Sequence, residues 1–172
     1  WFYKNVLAIL VGLCDGLDLG NNFKSALITK AYSEFYYLNE GKNIRRHSFI
    51  DYAGLGDLYV TSTCPASRNR TFGHMIGKGY SVKNAQLEMN MIAGGYYATK
   101  CLIEINKKFQ VEMPILDAVY EILYKNANPA LEIKKLSPFF DKTIITLSSF
   151  CLLVAALSLI LSYSSKPLLV KG

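Results

Sequence analysis

The chain has 172 residues, of which 51% are hydrophobic, and it carries a formal net charge of +6. This length accommodates one domain with a substantial core, and the basic balance suits acidic ligands such as phosphates, or a membrane surface. The sequence contains no long basic run, no zinc-ligand spacing and no ribonucleoprotein motif, so we expect neither nucleic acid nor a metal ion as a partner.

The first predicted element is an apolar helix over 6–17, whose hydrophobic residues are too continuous for a surface helix. A break between Gly16 and Asn22 precedes a second helix over 26–38, which ends near 39–41. Further helices are predicted at 48–53, from Ser67, from Ser81, over 93–109, from Pro114 and from Pro129.

Strand signals are sparse in this sequence. Only 58–63 has β-like composition, and it lies between helix signals. Because strands and helices do not alternate and no repeat is present, we predict an all-α fold.

The C-terminal part differs abruptly in composition. Residues 143–163 form a run of 21 residues without a charge, which as a helix would span about 30 Å, the thickness of the hydrocarbon core of a bilayer. A transmembrane helix is therefore a candidate there. The alternatives are a terminal helix buried in a dimer and an extension outside the working protein. We divide the chain into a helical domain at 1–136 and a C-terminal extension at 137–172.

The ends and the cysteines give two smaller expectations. The first residue is Trp1 rather than Met, so we expect the gene product to begin upstream. Scattered cysteines without a CxxC pair are typical of thiols that stay reduced and packed, and we predict no disulfide. These cysteines are Cys14, Cys64, Cys101 and Cys151.

The stretch most suggestive of chemistry is Ala53-Gly54-Leu55-Gly56-Asp57-Leu58, followed by Thr61 and by Ser67-Arg68-Asn69-Arg70. Glycines let the backbone approach a ligand closely, and guanidinium groups grip phosphate with two parallel hydrogen bonds. A carboxylate in this company can orient a hydroxyl or a basic side chain. The stretch indicates a site for a small phosphorylated, hydroxylated substrate, although the same spacing also fits a turn followed by a solvated helix start.

Several motifs occur in order along the chain. They are Lys4-Asn5-Val6, Gly12-Leu13-Cys14-Asp15-Gly16, Ala53 to Leu58, Thr63-Cys64, Ser67 to Arg70 and Val111-Glu112-Met113-Pro114-Ile115. In these motifs and their spacing the chain resembles, from residue 1 to about 135, the C-terminal, substrate-binding domain of bacterial-type NAD(P)-dependent glycerol-3-phosphate dehydrogenases. The resemblance implies a multi-helical fold like the C-terminal domain of 6-phosphogluconate dehydrogenase, with the N-terminal Rossmann domain absent from this chain.

The resemblance implies reversible hydride transfer between C2 of sn-glycerol 3-phosphate and a nicotinamide, with dihydroxyacetone phosphate as the product. Lys4 matches the general acid/base of the family. Asp57 matches an aspartate suited to bonding Lys4 or the glycerol hydroxyls. Asn5 and Thr61 are expected as polar neighbours of the reacting oxygen.

The phosphate and the cofactor are assigned by the same resemblance. Arg68 and Asn69 match phosphate-binding residues with Ser67 beside them, and Arg68 is also placed near the dinucleotide. Gly94 occupies a cofactor-contacting position where the family usually has Glu or Gln. Its lack of a side chain leaves the choice between NAD and NADP open. Arg70 and Lys78 are interpreted as charges that set the local electrostatic field or lie on the surface.

The resemblance also sets expectations for the protein as a whole. We expect a homodimer in the cytoplasm, either free or anchored to a membrane through 143–163. The isolated chain is expected to lack dehydrogenase activity, because nothing in it can hold the nicotinamide. The alternative function is a truncated, non-catalytic, membrane-anchored helical interaction module. A further alternative is a related dehydrogenase that acts on a different hydroxy acid.

Overall fold

The computed structural model describes residues 2–40, 56–89, 91 and 93–138. Within these ranges the chain forms eight helices and no strand, which confirms the predicted all-α class. The predicted helix at 48–53 and the run 143–163 lie outside the described residues. The helices are α1 (Phe2–Gly16), α2 (Asn21–Glu40), α3 (Asp57–Thr63), α4 (Arg68–Gly77), α5 (Val82–Glu88), α6 (Gly94–Phe109), α7 (Pro114–Lys125) and α8 (Pro129–Lys135).

Helix α1 is the centre of the domain, as its continuous apolar sequence predicts. Residues 6–14 are all buried, because α3, α4 and α6 pack around the helix while α2 and α7 also touch it. A helix that is apolar on every side is stable only when it is enclosed in this way. The first and last turns of α1 are less apolar, and they carry the charged residues discussed below.

Glycines set the distance between α1 and α4. Gly12 and Gly16 of α1 lie against α4, and Gly73 and Gly77 of α4 lie against α1. A Cβ added at Gly73 would overlap the backbone carbonyl of Ile9, and one added at Gly77 would lie 2.6 Å from the carbonyl oxygen of Leu13. Because no side chain separates the two backbones, this crossing fixes the N-terminus of α4 relative to α1.

Local signals begin most of the shorter helices. The hydroxyl oxygens of Ser67 and Ser81 accept hydrogen bonds from the backbone N–H groups of Arg70 and Asn84, and so cap α4 and α5 as predicted. Helices α7 and α8 begin with a proline in the first turn, also as predicted. Residues 57–63 form a helix despite their β-like composition.

A buried carboxylate ties three helices together. One oxygen of Glu34 in α2 accepts a hydrogen bond from the N–H of Ile115 at 3.0 Å, and the other accepts bonds from the Leu116 N–H at 3.4 Å and the Tyr3 hydroxyl at 3.3 Å. The Tyr3 ring also stacks on Phe35 with centroids 4.8 Å apart. Burial raises the pKa of Glu34 to about 7, although the two N–H donors oppose the rise.

Two expectations concern the C-terminal part of the chain. Residues 2–136 form one compact unit, whereas most of the proposed extension at 137–172 lies outside the described ranges. None of the helices in the described part of the chain is long and apolar enough to cross a bilayer. The domain boundary and the span at 143–163 therefore stay predictions.

Candidate active site

The first turns of α1 and α3 bring Lys4 and Asp57 together. Lys4 Nζ donates to Asp57 Oδ1 at 2.9 Å and to Oδ2 at 2.8 Å. The Lys4 and Asp57 side chains are 19% and 30% exposed. A pair that is partly shielded from water interacts more strongly than a surface pair, yet a ligand can still reach it. Of the two partners expected for Asp57, Lys4 or the glycerol hydroxyls, Lys4 is the one that it bonds in this structure.

Two further predicted residues flank this ion pair. Thr61 lies one turn after Asp57 on α3, and its hydroxyl donates weakly to Asp57 Oδ1 at 3.4 Å. Asn5 follows Lys4 in α1, and its backbone lies against Gly95 at the start of α6. The Thr61 hydroxyl therefore bonds the carboxylate that holds the lysine, and the Asn5 amide lies near Gly94.

Asn69 joins the site through the start of α6. Its Oδ1 accepts a hydrogen bond from the N–H of Gly95 at 2.8 Å. This bond turns the side-chain NH₂ group, which can only donate, away from Gly95. A Cβ added at Gly95 would lie 2.7 Å from the carbonyl oxygen of Asn5, so only glycine allows α6 to approach α1 this closely. Gly94 lies beside Asn5 with open space around it.

Ser67 and Arg68 occupy the start of α4. The Ser67 hydroxyl serves as the helix cap, so part of its bonding capacity is already used. Arg68 is exposed, and its Nη1 lies 3.1 Å from the thioether sulfur of Met91. A thioether is a weak acceptor, and an anion would replace it as the partner of the guanidinium.

Arg70 is not a surface charge, which is one of the two roles that the sequence predicts for it. Its Nε and Nη2 donate to Asp15 Oδ2 at 2.8 and 2.7 Å, and its Nη1 donates to the carbonyl of Thr63. The other carboxylate oxygen of Asp15 accepts from Lys24 Nζ at 2.7 Å. Lys78, by contrast, is the predicted surface charge and pairs with exposed Asp18 at 2.9 Å.

The cysteines that the structure describes are unpaired. Cys14 is buried and Cys64 is partly buried, which fits the expectation of packed thiols, but Cys101 is exposed. In residues 2–40, 56–89, 91 and 93–138, no cluster of three His, Cys, Asp or Glu side chains could hold a metal ion.

Sequence reasoning missed three contributors to the site. Sequence reasoning assigned Asp15 no role beyond its place in a motif. The available signal was its position in the last turn of a buried helix, where a carboxylate needs a cationic partner. The close approach of α1 and α4 is signalled by the paired spacing of Gly12 with Gly16 and of Gly73 with Gly77. Only glycine at such positions lets two backbones touch. The bond from Gly95 to Asn69 has no local sequence signal.

The chain was compared with known families and proteins. It matches the family described as the C-terminus of NAD-dependent glycerol-3-phosphate dehydrogenase over residues 2–134. It is 44% identical over 133 residues to the glycerol-3-phosphate dehydrogenase (NAD(P)+) of Shewanella pealeana, and 43% identical over 123 residues to that of Desulfotalea psychrophila. These alignments cover 77% and 72% of this chain but 39% and 36% of the relatives, so the chain spans about two fifths of their length.

Solved structures give the same picture. The crystal structure of glycerol-3-phosphate dehydrogenase from Coxiella burnetii superposes with a TM-score of 0.76 at 36% identity, covering 78% of this chain and 42% of that one. The structure of DsGPDH of Dunaliella salina gives a TM-score of 0.65 at 22% identity, covering 76% and 24%. The second similarity supports the fold alone.

Proposed function

The chain belongs to the family of C-terminal domains of NAD-dependent glycerol-3-phosphate dehydrogenases, and from this premise we propose its chemistry. We propose that it is the substrate-binding and catalytic portion of an oxidoreductase that interconverts sn-glycerol 3-phosphate and dihydroxyacetone phosphate. The observation that carries the proposal is the partly buried Lys4–Asp57 pair at 2.8 Å. The Thr61 hydroxyl bonds the same carboxylate, and Arg68 and Asn69 supply donors suited to a phosphate.

Lys4 is proposed to move the proton. Oxidation of C2 requires its hydroxyl to lose a proton as the hydride leaves, and reduction of the ketone requires the proton to return. The Lys4 ammonium donates it in reduction, and the amine accepts it in oxidation. Asp57 holds Nζ in place through both of its oxygens, which fixes the direction from which Lys4 reaches the C2 oxygen. Asn5 and Thr61 help to orient the hydroxyls.

Arg68 and Asn69 are proposed to bind the phosphate. The Asn69 amide is already oriented as a donor by Gly95, and Arg68 lies against a thioether, which an anion can displace. The N-terminus of α6, a helix of 16 residues, adds a favourable dipole beside Asn69. Ser67 contributes through its place at the same turn.

A nicotinamide dinucleotide, when bound, would accept or supply the hydride. The residues of this chain fit only a minor share of its binding, since the described part contains no strand followed by a glycine-rich turn and helix. Arg68 and the backbone at Gly94 are the proposed contacts. We propose that a Rossmann domain outside this chain holds most of the dinucleotide, NAD or NADP, and that the isolated chain is inactive.

Location and assembly belong to the same proposal. We propose a cytoplasmic location and a homodimer on the strength of the family resemblance. Membrane anchoring through 143–163 is proposed from the apolar composition of that run, which lies outside the described residues.

The test is a substrate comparison with the product of the complete reading frame. We expect reduction of NAD or NADP with glycerol 3-phosphate, and far slower reduction with glycerol plus inorganic phosphate, because phosphate binding aligns C2 with Lys4. A product that includes a dinucleotide-binding domain and yet shows no turnover would contradict the proposal. That result would favour the interaction module instead.

A further inference from the structure

Asp15 lies at the opposite end of α1 from Lys4 and holds two cations. One oxygen bonds Lys24 of α2, and the other bonds Arg70 of α4. Burial alone would raise the pKa of Asp15, but the hydrogen bonds from Lys24 and Arg70 outweigh it and lower that pKa. The carboxylate is therefore charged at neutral pH and holds Arg70 strongly.

The guanidinium of Arg70 spans the connection between α3 and α4. Its Nη1 bonds the carbonyl of Thr63, the last residue of α3, while the residue itself lies in the first turn of α4. Its backbone N–H also donates to the Ser67 hydroxyl at 3.4 Å. Arg70 thus bonds Thr63 before the turn 64–67 and Ser67 at its end. Because Arg70 also bonds Asp15, both ends of this turn are connected to α1.

This turn leads directly into the phosphate-binding residues proposed above. The Asn69 side chain accepts from the Gly95 N–H at 2.8 Å, and its backbone directly precedes Arg70 in the first turn of α4. Arg68 shares the same first turn of α4. The Lys4–Asp57 pair lies at the other end of α3, six residues before the carbonyl that Arg70 bonds.

We propose that Asp15 is a positioning residue for the phosphate end of the substrate. It acts through Arg70 on the turn that presents Arg68 and Asn69, and it touches neither substrate nor cofactor. This inference rests on the proposed function. A cavity of about 290 Å³ borders the pair and is lined by Asp15, Pro65, Arg70, Thr71 and His74. Water in this cavity can form hydrogen bonds with the side chains of Asp15→Asn and Arg70, so this neutral variant should still fold.

The test compares Asp15→Asn with Asp18→Asn in the product of the complete reading frame. Asp18 is the matched control, because it follows α1 by two residues and pairs with Lys78, the residue after α4, on the exposed surface. For Asp15→Asn we expect the KM for dihydroxyacetone phosphate to rise about 10- to 100-fold, since a small misplacement of a binding group is costly. We expect kcat, and kcat/KM for phosphate-free dihydroxyacetone, to change less than about threefold. Asp15→Glu should recover part of the loss.

Each result decides between the two proposals. If Asp15→Asn behaves like Asp18→Asn, or if both substrates lose activity equally, the positioning role is wrong while the proposed function stands. A wild-type protein without turnover overturns both. If Asp15→Asn does not fold, Arg70→Lys, which keeps the charge but loses the fork geometry, should give the same selective rise in KM. If the KM for dihydroxyacetone phosphate does not rise in Arg70→Lys, the proposal is contradicted.

Discussion

Single residues at the start of α1 and α3 carry the proposed chemistry. Lys4 and Asp57 are 53 positions apart in sequence, and both oxygens of the carboxylate bond Nζ. A lysine held from one side by a fixed carboxylate has fewer orientations to sample, and its proton is presented in one direction. Asp57 therefore fixes the direction of Lys4 Nζ in addition to balancing its charge.

Asp57→Asn tests this orienting role. The amide keeps the shape of the side chain but removes the charge that holds Lys4, so we expect kcat to fall about 10- to 100-fold with a smaller change in KM. Glu104→Gln is the control, because Glu104 pairs with Lys107 on the exposed face of α6. Steady-state kinetics on the wild type and both variants measures kcat and KM. If Asp57→Asn and Glu104→Gln have equal kcat values, the orienting role assigned to Asp57 is wrong.

Glu34 makes a separate prediction about stability. Its pKa is about 7 in the folded chain against an ordinary value of 4.5, because burial disfavours the charged form. The folded state therefore binds the proton more tightly than the unfolded state does. The stability contributed by protonated Glu34 is fully present below about pH 4.5 and is lost as the pH rises through 7.

Glu34→Gln should remove this pH dependence. A difference of 2.5 pKa units (7 − 4.5) corresponds to a loss of about 3 kcal/mol in the free energy of unfolding across that window. Tyr3 and Lys30 are the titratable groups that act on Glu34, and both remain in the variant. Urea unfolding followed by circular dichroism on both sides of the window measures the slope. If wild type and Glu34→Gln lose stability in parallel, Glu34 is not the group responsible.

Among the helices, the α1–α4 crossing decides how the site is built. The glycines at this contact let the two backbones touch, and α4 carries Arg68, Asn69 and Arg70 at its N-terminus. Any change that separates α1 from α4 must also move these three residues relative to Lys4. We therefore expect changes at this crossing to affect both the stability and the proposed phosphate binding.

Gly73→Ala tests the crossing, with Gly20→Ala as its matched control. A Cβ at Gly73 would overlap the Ile9 carbonyl, whereas nothing lies within 4 Å of one at Gly20. We expect Gly73→Ala to lower the free energy of unfolding by about 1–3 kcal/mol or more, and Gly20→Ala to change it by less than about 0.5 kcal/mol. Thermal melts compare the two, and similar melting temperatures would show that the crossing tolerates a wider separation.

Helix boundaries were predictable where the signal is local. Ser67 and Ser81 as caps, and prolines in the first turns of α7 and α8, act within a few residues of their own position. The helix α3 was harder, because its β-branched residues favour strands. There the hydroxyls of Ser62 and Thr63 bond the Tyr59 carbonyl at 3.0 and 2.7 Å instead.

Long-range pairs were not predictable from periodicity. The bond between Asp15 and Arg70 joins positions 55 apart, and that between Glu34 and Ile115 joins positions 81 apart. Helical patterns report which face of a helix is buried but not which charge meets which. The family resemblance offered Lys4 as one of two partners for Asp57, the other being the glycerol hydroxyls, and it gave no role to Asp15 or Glu34.

For the whole molecule, residues 2–136 form one compact unit that carries every proposed substrate contact. The relatives are more than twice as long as the matched region, and the proposed dinucleotide contacts of this chain are few. We therefore propose that substrate and cofactor bind between this unit and a Rossmann domain outside this chain, with Lys4 beside the reacting atoms.

The rate of NADH formation from glycerol 3-phosphate tests this central role of Lys4 most directly. It should be measured at saturating substrate for the product of the complete reading frame, for Lys4→Ala and for Lys78→Ala, whose lysine lies in an exposed pair. We predict that Lys78→Ala matches the wild type and that Lys4→Ala is slower by about 10²- to 10⁴-fold, the contribution of a general acid/base. A Lys4→Ala variant as fast as the wild type would contradict the assignment.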